Sequence, residues 1–195
     1  PFLVSIRTPS IYLELGLFQS SILATSIILE LRENEASPFN KDPVAIPQPE
    51  SSGILPTPQI KTGLLNGNLL SRQNDFKKGM LNFKDDFQNT SLFASKILIW
   101  YFSEIKKSIK PYWKRNIKSD PNAALQTAFI VGLIFLLERI LSVEMGNKDV
   151  PHSKVQGLIE PYLKEMCKSL KNLTLEQRKV IFGWTYQGEK LTMGT

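Results

Sequence analysis

The 195-residue chain reads as all-α, with several helices, one apolar helix that is transmembrane or fully buried, and a long extended proline-rich segment. Three observations carry that reading. Apolar residues recur at helical spacing along most of the chain. Ala123 to Leu137 is a run of fifteen residues without a charge. Six of the twelve prolines fall between residues 34 and 63, where they remove backbone donors and bar their predecessors from helix. Five parts follow: an N-terminal helix over 1–33, an extended arm over 34–63, a helical segment over 64–118 ending in a basic aromatic collar, the apolar helix over 119–146, and a C-terminal helical segment over 147–195.

In the first part Thr8 caps and Pro9 fits the first turn. Ile11, Leu15, Phe18, Ile22 and Leu29 then keep a helical spacing. Serines and threonines between them favour an amphipathic, partner-packed helix over a span. The arm is expected to be extended up to residue 63. Beyond it, Phe76, Met80, Phe83 and Phe87 fall at spacings of four, three and four, which places them on one helical face as a packing stripe. Asp85 and Asp86 are neighbours that diverge by about 100° on a helix, so they read as solvated charges and not as a paired site.

Ile97 to Phe102 is an unbroken apolar and aromatic run. Pro111 is expected to end or kink its helix. The collar is Lys106, Lys107, Lys110, Tyr112, Trp113, Lys114, Arg115 and Lys118. Basic residues mixed with aromatic rings suit anionic headgroups. The apolar helix is expected to start at Ser119 or Asp120, with Pro121 in its first turn. Its fifteen uncharged residues rise only about 22 Å, short of a roughly 30 Å hydrocarbon core. Spanning therefore needs Glu138 and Arg139 at an interface or facing a partner. Six basic residues against Glu104 before the helix give the asymmetry of a single span.

In the last part Leu158, Tyr162, Met166 and Leu170 lie four residues apart, with Pro161 marking a start or kink. Thr174 and Gln177 have the spacing of a capping box. The helix behind them is expected to bury Val180, Ile181 and Trp184. Cys167 reads as a packed small apolar residue, and His152 as a capping or surface residue.

One cysteine and one histidine exclude an intramolecular disulfide, cysteine-based metal sites and most histidine-assisted nucleophilic catalysis. No phosphate-cradling glycine loop is present. The expectation is therefore a non-enzyme with no catalytic residue, no cofactor-binding residue, no metal ligand and no cofactor. The net charge of +6 suits an acidic partner. The function expected is a membrane-attached accessory or scaffold subunit, with protein subunits of a larger complex and anionic lipid as partners. The alternative is a soluble all-α adaptor whose 123–141 helix is its core; a nucleic-acid-binding helical protein is the distant third. With no methionine before Met80, a removed targeting peptide is one fitting history. It points to an organellar energy-converting membrane, mitochondrial inner or thylakoid.

Overall fold

A computed structural model describes residues 8–40, 57–66, 68–70, 79–83, 86–114, 120–146, 150–187 and 190–193. The architecture is all-α. Six α-helices among the described residues are followed by one short antiparallel hairpin.

Helix α1 (Thr8–Glu33) buries Leu23, Ala24, Ile27, Ile28 and Leu31. Its C-terminal end is closed by a knot of side-chain bonds in the turn 34–40. The Ser37 hydroxyl donates to the Leu31 carbonyl, and Asn40 Nδ2 donates to the Glu33 carbonyl at 2.8 Å. That turn drives Phe39 into the core, with its ring 5.1 Å from Phe102 and 5.6 Å from Trp113.

Helix α2 (Thr57–Asn66) corrects the expected arm, which does not remain extended to residue 63. Pro58 falls in the first turn, where its missing N–H costs nothing and its fixed φ favours helix. Residues 41–56, with the other four prolines of the arm after Pro38, lie outside the described residues. At Gly63 an added Cβ would stand 3.6 Å from Val131 and Ile134, so α2 lies close against the helix that carries them.

Leu69, Leu70 and Leu81 are buried in a short backbone pairing, with Leu81 N–H donating to Leu69 O at 3.0 Å and Met80 N–H to Asn68 O at 3.1 Å. The expected aromatic stripe is corrected here. Residues 80–83 are turn, Phe87 opens the next helix, and Phe76 lies outside the described residues. Asp86 is that helix's N-cap, accepting from Asn89 N–H at 2.8 Å.

Helix α3 (Phe87–Ser108) ends where expected: Ile109 caps it and Pro111 sits in a single 3₁₀ turn, Lys110–Tyr112. The next helix does not start at Ser119 or Asp120, which is a second correction. Residues 123–125 are held extended by tertiary backbone bonds, Ala124 N–H to Tyr112 O at 2.7 Å and Leu125 N–H to Lys114 O at 3.0 Å. Helix α4 runs Thr127–Met145. The preceding Gln126 is buried and donates to the Phe182 carbonyl instead of capping.

Helix α4 buries Phe129, Ile130, Leu133, Ile134, Leu137, Ile140 and Leu141. Against this face pack α2 and helix α5 (His152–Lys171), which adds Val155, Ile159, Leu163 and Leu170. Glu138, Arg139 and Glu144 all lie within α4, and no helix among the described residues is long and apolar enough to cross a membrane. The spanning expectation for 119–146 therefore has no helix to carry it, and α4 takes the place of a core helix.

Helix α5 runs unbroken through Pro161, whose side chain is exposed, so the expected helix start near 159–161 is corrected to His152. Helix α6 (Leu175–Gly183) opens on the expected capping box: Gln177 N–H donates to Thr174 Oγ1 at 3.2 Å, and Thr174 N–H to Gln177 Oε1 at 2.9 Å. Its core residue is Phe182, 5.1 Å from Phe129, whereas Val180 is exposed. Strands β1 (Trp184–Gln187) and β2 (Lys190–Met193) close the chain, pairing Trp184 with Met193 and Gln187 with Lys190.

Candidate interaction surfaces

The collar does not stay together as one surface. Trp113 is only 6% exposed; its ring packs on Phe39 and its Nε1–H donates to the Pro38 carbonyl at 3.3 Å. Lys106 donates to the same carbonyl at 3.0 Å. Both side chains thus clamp the 34–40 turn. Tyr112 packs against Phe182 and lies under the Arg178 guanidinium, 4.7 Å from the ring centre. Lys107, Lys110 and Lys114 are exposed; Lys107 pairs with Glu104 at 2.6 Å and Lys114 with Asp120 at 3.5 Å. Arg115 and Lys118 lie outside the described residues.

Glu138 and Arg139 also part company. Adjacent positions on a helix diverge by about 100°. Glu138 turns partly inward, while Arg139 joins an outer ridge with Gly132, Phe135, Leu136 and Val143. Two grooves flank that ridge. One, of about 520 Å³, lies between α2 and α4 and is lined by Pro58, Thr62, Gly63, Val131 and Phe135. The other, of about 330 Å³, is lined by Ala128, Leu133, Leu136, Met166, Leu170 and Ile181. Ala128 and Gly132 line both, so the grooves meet over the smallest side chains of α4.

A third groove, of about 640 Å³, separates α3 from α5. The two helices run parallel. Phe93 meets His152 at 4.6 Å near their starts, and Ser108 and Cys167 line the same groove near their ends. Trp100, Leu163 and Cys167 form the floor, and Lys107, Lys164, Lys168 and Lys171 stand around it. The lysines of α5 are not marked out by any sequence pattern. They are more than fifty residues from Lys107 in the chain, and no local pattern joins them to it.

Among the described residues three ionisable groups are shifted. Burial raises the Tyr101 phenol far above its ordinary value of 10.0; its hydroxyl donates to the Leu133 carbonyl at 3.0 Å. Burial also raises the Cys167 thiol, which the neighbouring Ser108 hydroxyl partly offsets. The Tyr162 hydroxyl donates to the Glu144 carboxylate, which raises the phenol and ties α5 to α4 at the surface. His152 lies flat on Phe83, with ring centres 3.7 Å apart, and its Nε2 is 3.2 Å from Asn82 O. It fastens the 79–83 turn to the start of α5, more than a surface position was expected to do. Among the described residues no three acidic, histidine or cysteine side chains come together in a metal-binding group. No protein-family model, curated protein or solved structure matches this chain.

Proposed function

We propose that the chain is a non-enzymatic helical accessory subunit that docks to another protein of a larger complex through the outer face of α4. The observation that carries this is the ridge of Phe135, Leu136 and Val143, at 41%, 40% and 60% exposure. The ridge stands on the most apolar helix of the bundle, between two apolar grooves. Contiguous exposed apolar surface of this kind marks interaction sites. The small Ala128 and Gly132 allow close approach of a second helix, the helix-in-groove mode of recognition. Arg139, four residues from both Phe135 and Val143, stands among them on the same face and adds one charged contact to it. This reading keeps the accessory-subunit expectation without a membrane span, and shares with the adaptor alternative a 123–141 region that serves as core. Membrane spanning by α4 is not proposed, because its inner face already has protein partners.

The test is a triple substitution, Phe135→Ser, Leu136→Ser and Val143→Ser. The expected outcome is unchanged helical content and a melting temperature within a few degrees of the parent, because exposed positions contribute little. A protein that copurifies stoichiometrically with the parent chain from its native cells in mild detergent should be lost. The reading fails if the same stoichiometric partner stays with the folded triple variant.

A further inference from the structure

We infer that the groove between α3 and α5 is a second docking site, and that its occupant is an acidic amphipathic helix of a partner protein. The inference shares with the proposed function only the premise that this chain binds proteins. Its surface is separate from the α4 ridge.

Shape comes first. On α5 the groove runs from Gln156 to Lys171, sixteen residues that rise about 22 Å from first to last, or four helical turns. A trough walled by α5 over that length, and by α3 from Trp100 to Ser108, about 12 Å, fits a rod. A bilayer surface is flat by comparison and would touch only the lysine tips.

Chemistry then selects the kind of rod. The floor of Trp100, Leu163 and Cys167 offers apolar contact for one face of a helix. Four ammonium groups line the groove against two carboxylates, Glu104 and Glu160. Lys107 and Lys164 are paired with those carboxylates at 2.6 and 2.8 Å. Lys168 reaches Glu165 only at 4.0 Å, and no carboxylate among the described residues pairs with Lys171. The end where α3 and α5 both terminate is thus cationic and incompletely paired. Glutamates on the flanks of an incoming helix would complete it, while its apolar stripe covers Trp100 and Leu163. A nucleic acid matches the lysines but leaves the apolar floor of Trp100 and Leu163 uncovered.

The probe is a fluorescent helical peptide of about 18 residues, long enough to hold helix when bound. It carries leucines at i, i+3, i+4 and i+7 and glutamates on the flanks. Its controls are the same composition scrambled, and the same peptide with lysine for glutamate. The designed peptide is expected to bind the full chain and to weaken as salt rises, while both controls bind at least about tenfold less. Lys164→Gln, Lys168→Gln and Lys171→Gln together should weaken it about tenfold, and Lys179→Gln on α6 should not. As a readout free of mutation, bound peptide should slow the alkylation of Cys167. The inference is overturned if the scrambled peptide binds equally or if the lysine triple leaves affinity unchanged. It is also overturned if phosphatidylserine vesicles or a single-stranded oligonucleotide bind the groove lysines in the peptide's place. The α4 ridge triple should keep the peptide, and the lysine triple should keep the ridge-dependent partner, so the two readings fail separately.

Discussion

Two aromatic residues of similar chemistry hold different parts of the molecule, and each can be tested by one substitution. Trp113 fills the space between α3 and the 34–40 turn, so Trp113→Ala should cost about 3–5 kcal/mol, the usual range for emptying a large buried ring. Urea unfolding checks it; a loss below about 1 kcal/mol would mean that the ring is not in the core. Tyr101 is fully buried, with its hydroxyl on Leu133 O. Tyr101→Phe removes one hydrogen bond and should cost about 1 kcal/mol at neutral pH. The pH dependence is more diagnostic. Tyr101's folded pKa is raised above its unfolded value of 10.0, so above pH 10 the unfolded chain releases a proton that the native chain retains. Stability from this group is complete below pH 10 and falls as pH rises beyond it. The parent should therefore lose stability more steeply than Tyr101→Phe in alkali, and identical slopes would contradict the burial. Cys167, raised by burial, should alkylate more slowly at pH 8 than a cysteine in a short peptide, with its inflection above the ordinary thiol value.

At the scale of elements, what was legible in the sequence was local. The capping box at Thr174 and Gln177 and the helix stop at Pro111 depend on residues three or four apart, and both formed as read. The misreadings came from reading local signals without their tertiary competitors. Pro121 after Ser119 and Asp120 looks like a helix start, but the backbone of 124–125 bonds instead to Tyr112 and Lys114. Six prolines suggested one extended arm, yet Pro58 begins a helix because a first-turn proline loses no bond. Met80, Phe83 and Phe87 fit a helical period, and a turn at 80–83 breaks it. The collar's lysines were visible as a cluster; that Trp113 would be taken into the core was not, because Phe39 reaches it from 74 positions earlier in sequence. Helix α5 supplies a test of element stability. Gly157 lies four residues before Pro161, and a Cβ there meets nothing within 4 Å. Gly157→Ala should stabilise the chain by roughly 0.5–1 kcal/mol through helix propensity alone. A loss of stability would show that α5 is locally distorted around the proline.

The whole molecule turns on whether α4 is the centre of a protein core or an element with apolar surroundings on every side. Both pictures accept the same apolar composition, but they differ in the symmetry of its faces. In a bundle only the inner face is dry. Leu136 and Leu137 are adjacent and of one residue type, and they differ in exposure, 40% against 0%. Leu137→Ala should cost about 2–5 kcal/mol, as buried leucine deletions do. Leu136→Gln should stay within about 0.5 kcal/mol, as exposed substitutions do. Because the buried residues of α1 through α6 form one continuous cluster, the damage at Leu137 should spread. Hydrogen exchange should quicken in α1 and α2 as well as in α5, and tryptophan fluorescence and far-ultraviolet circular dichroism should report one shared transition. The measurement is urea unfolding of the full chain in detergent-free buffer, with both variants beside the parent. A helix surrounded by lipid would place Leu136 in hydrocarbon as well, and a glutamine there would cost as much as the loss at Leu137. Equal costs at the two leucines would thus refute the bundle assignment of α4, and the ridge proposed as a docking face would fall with it.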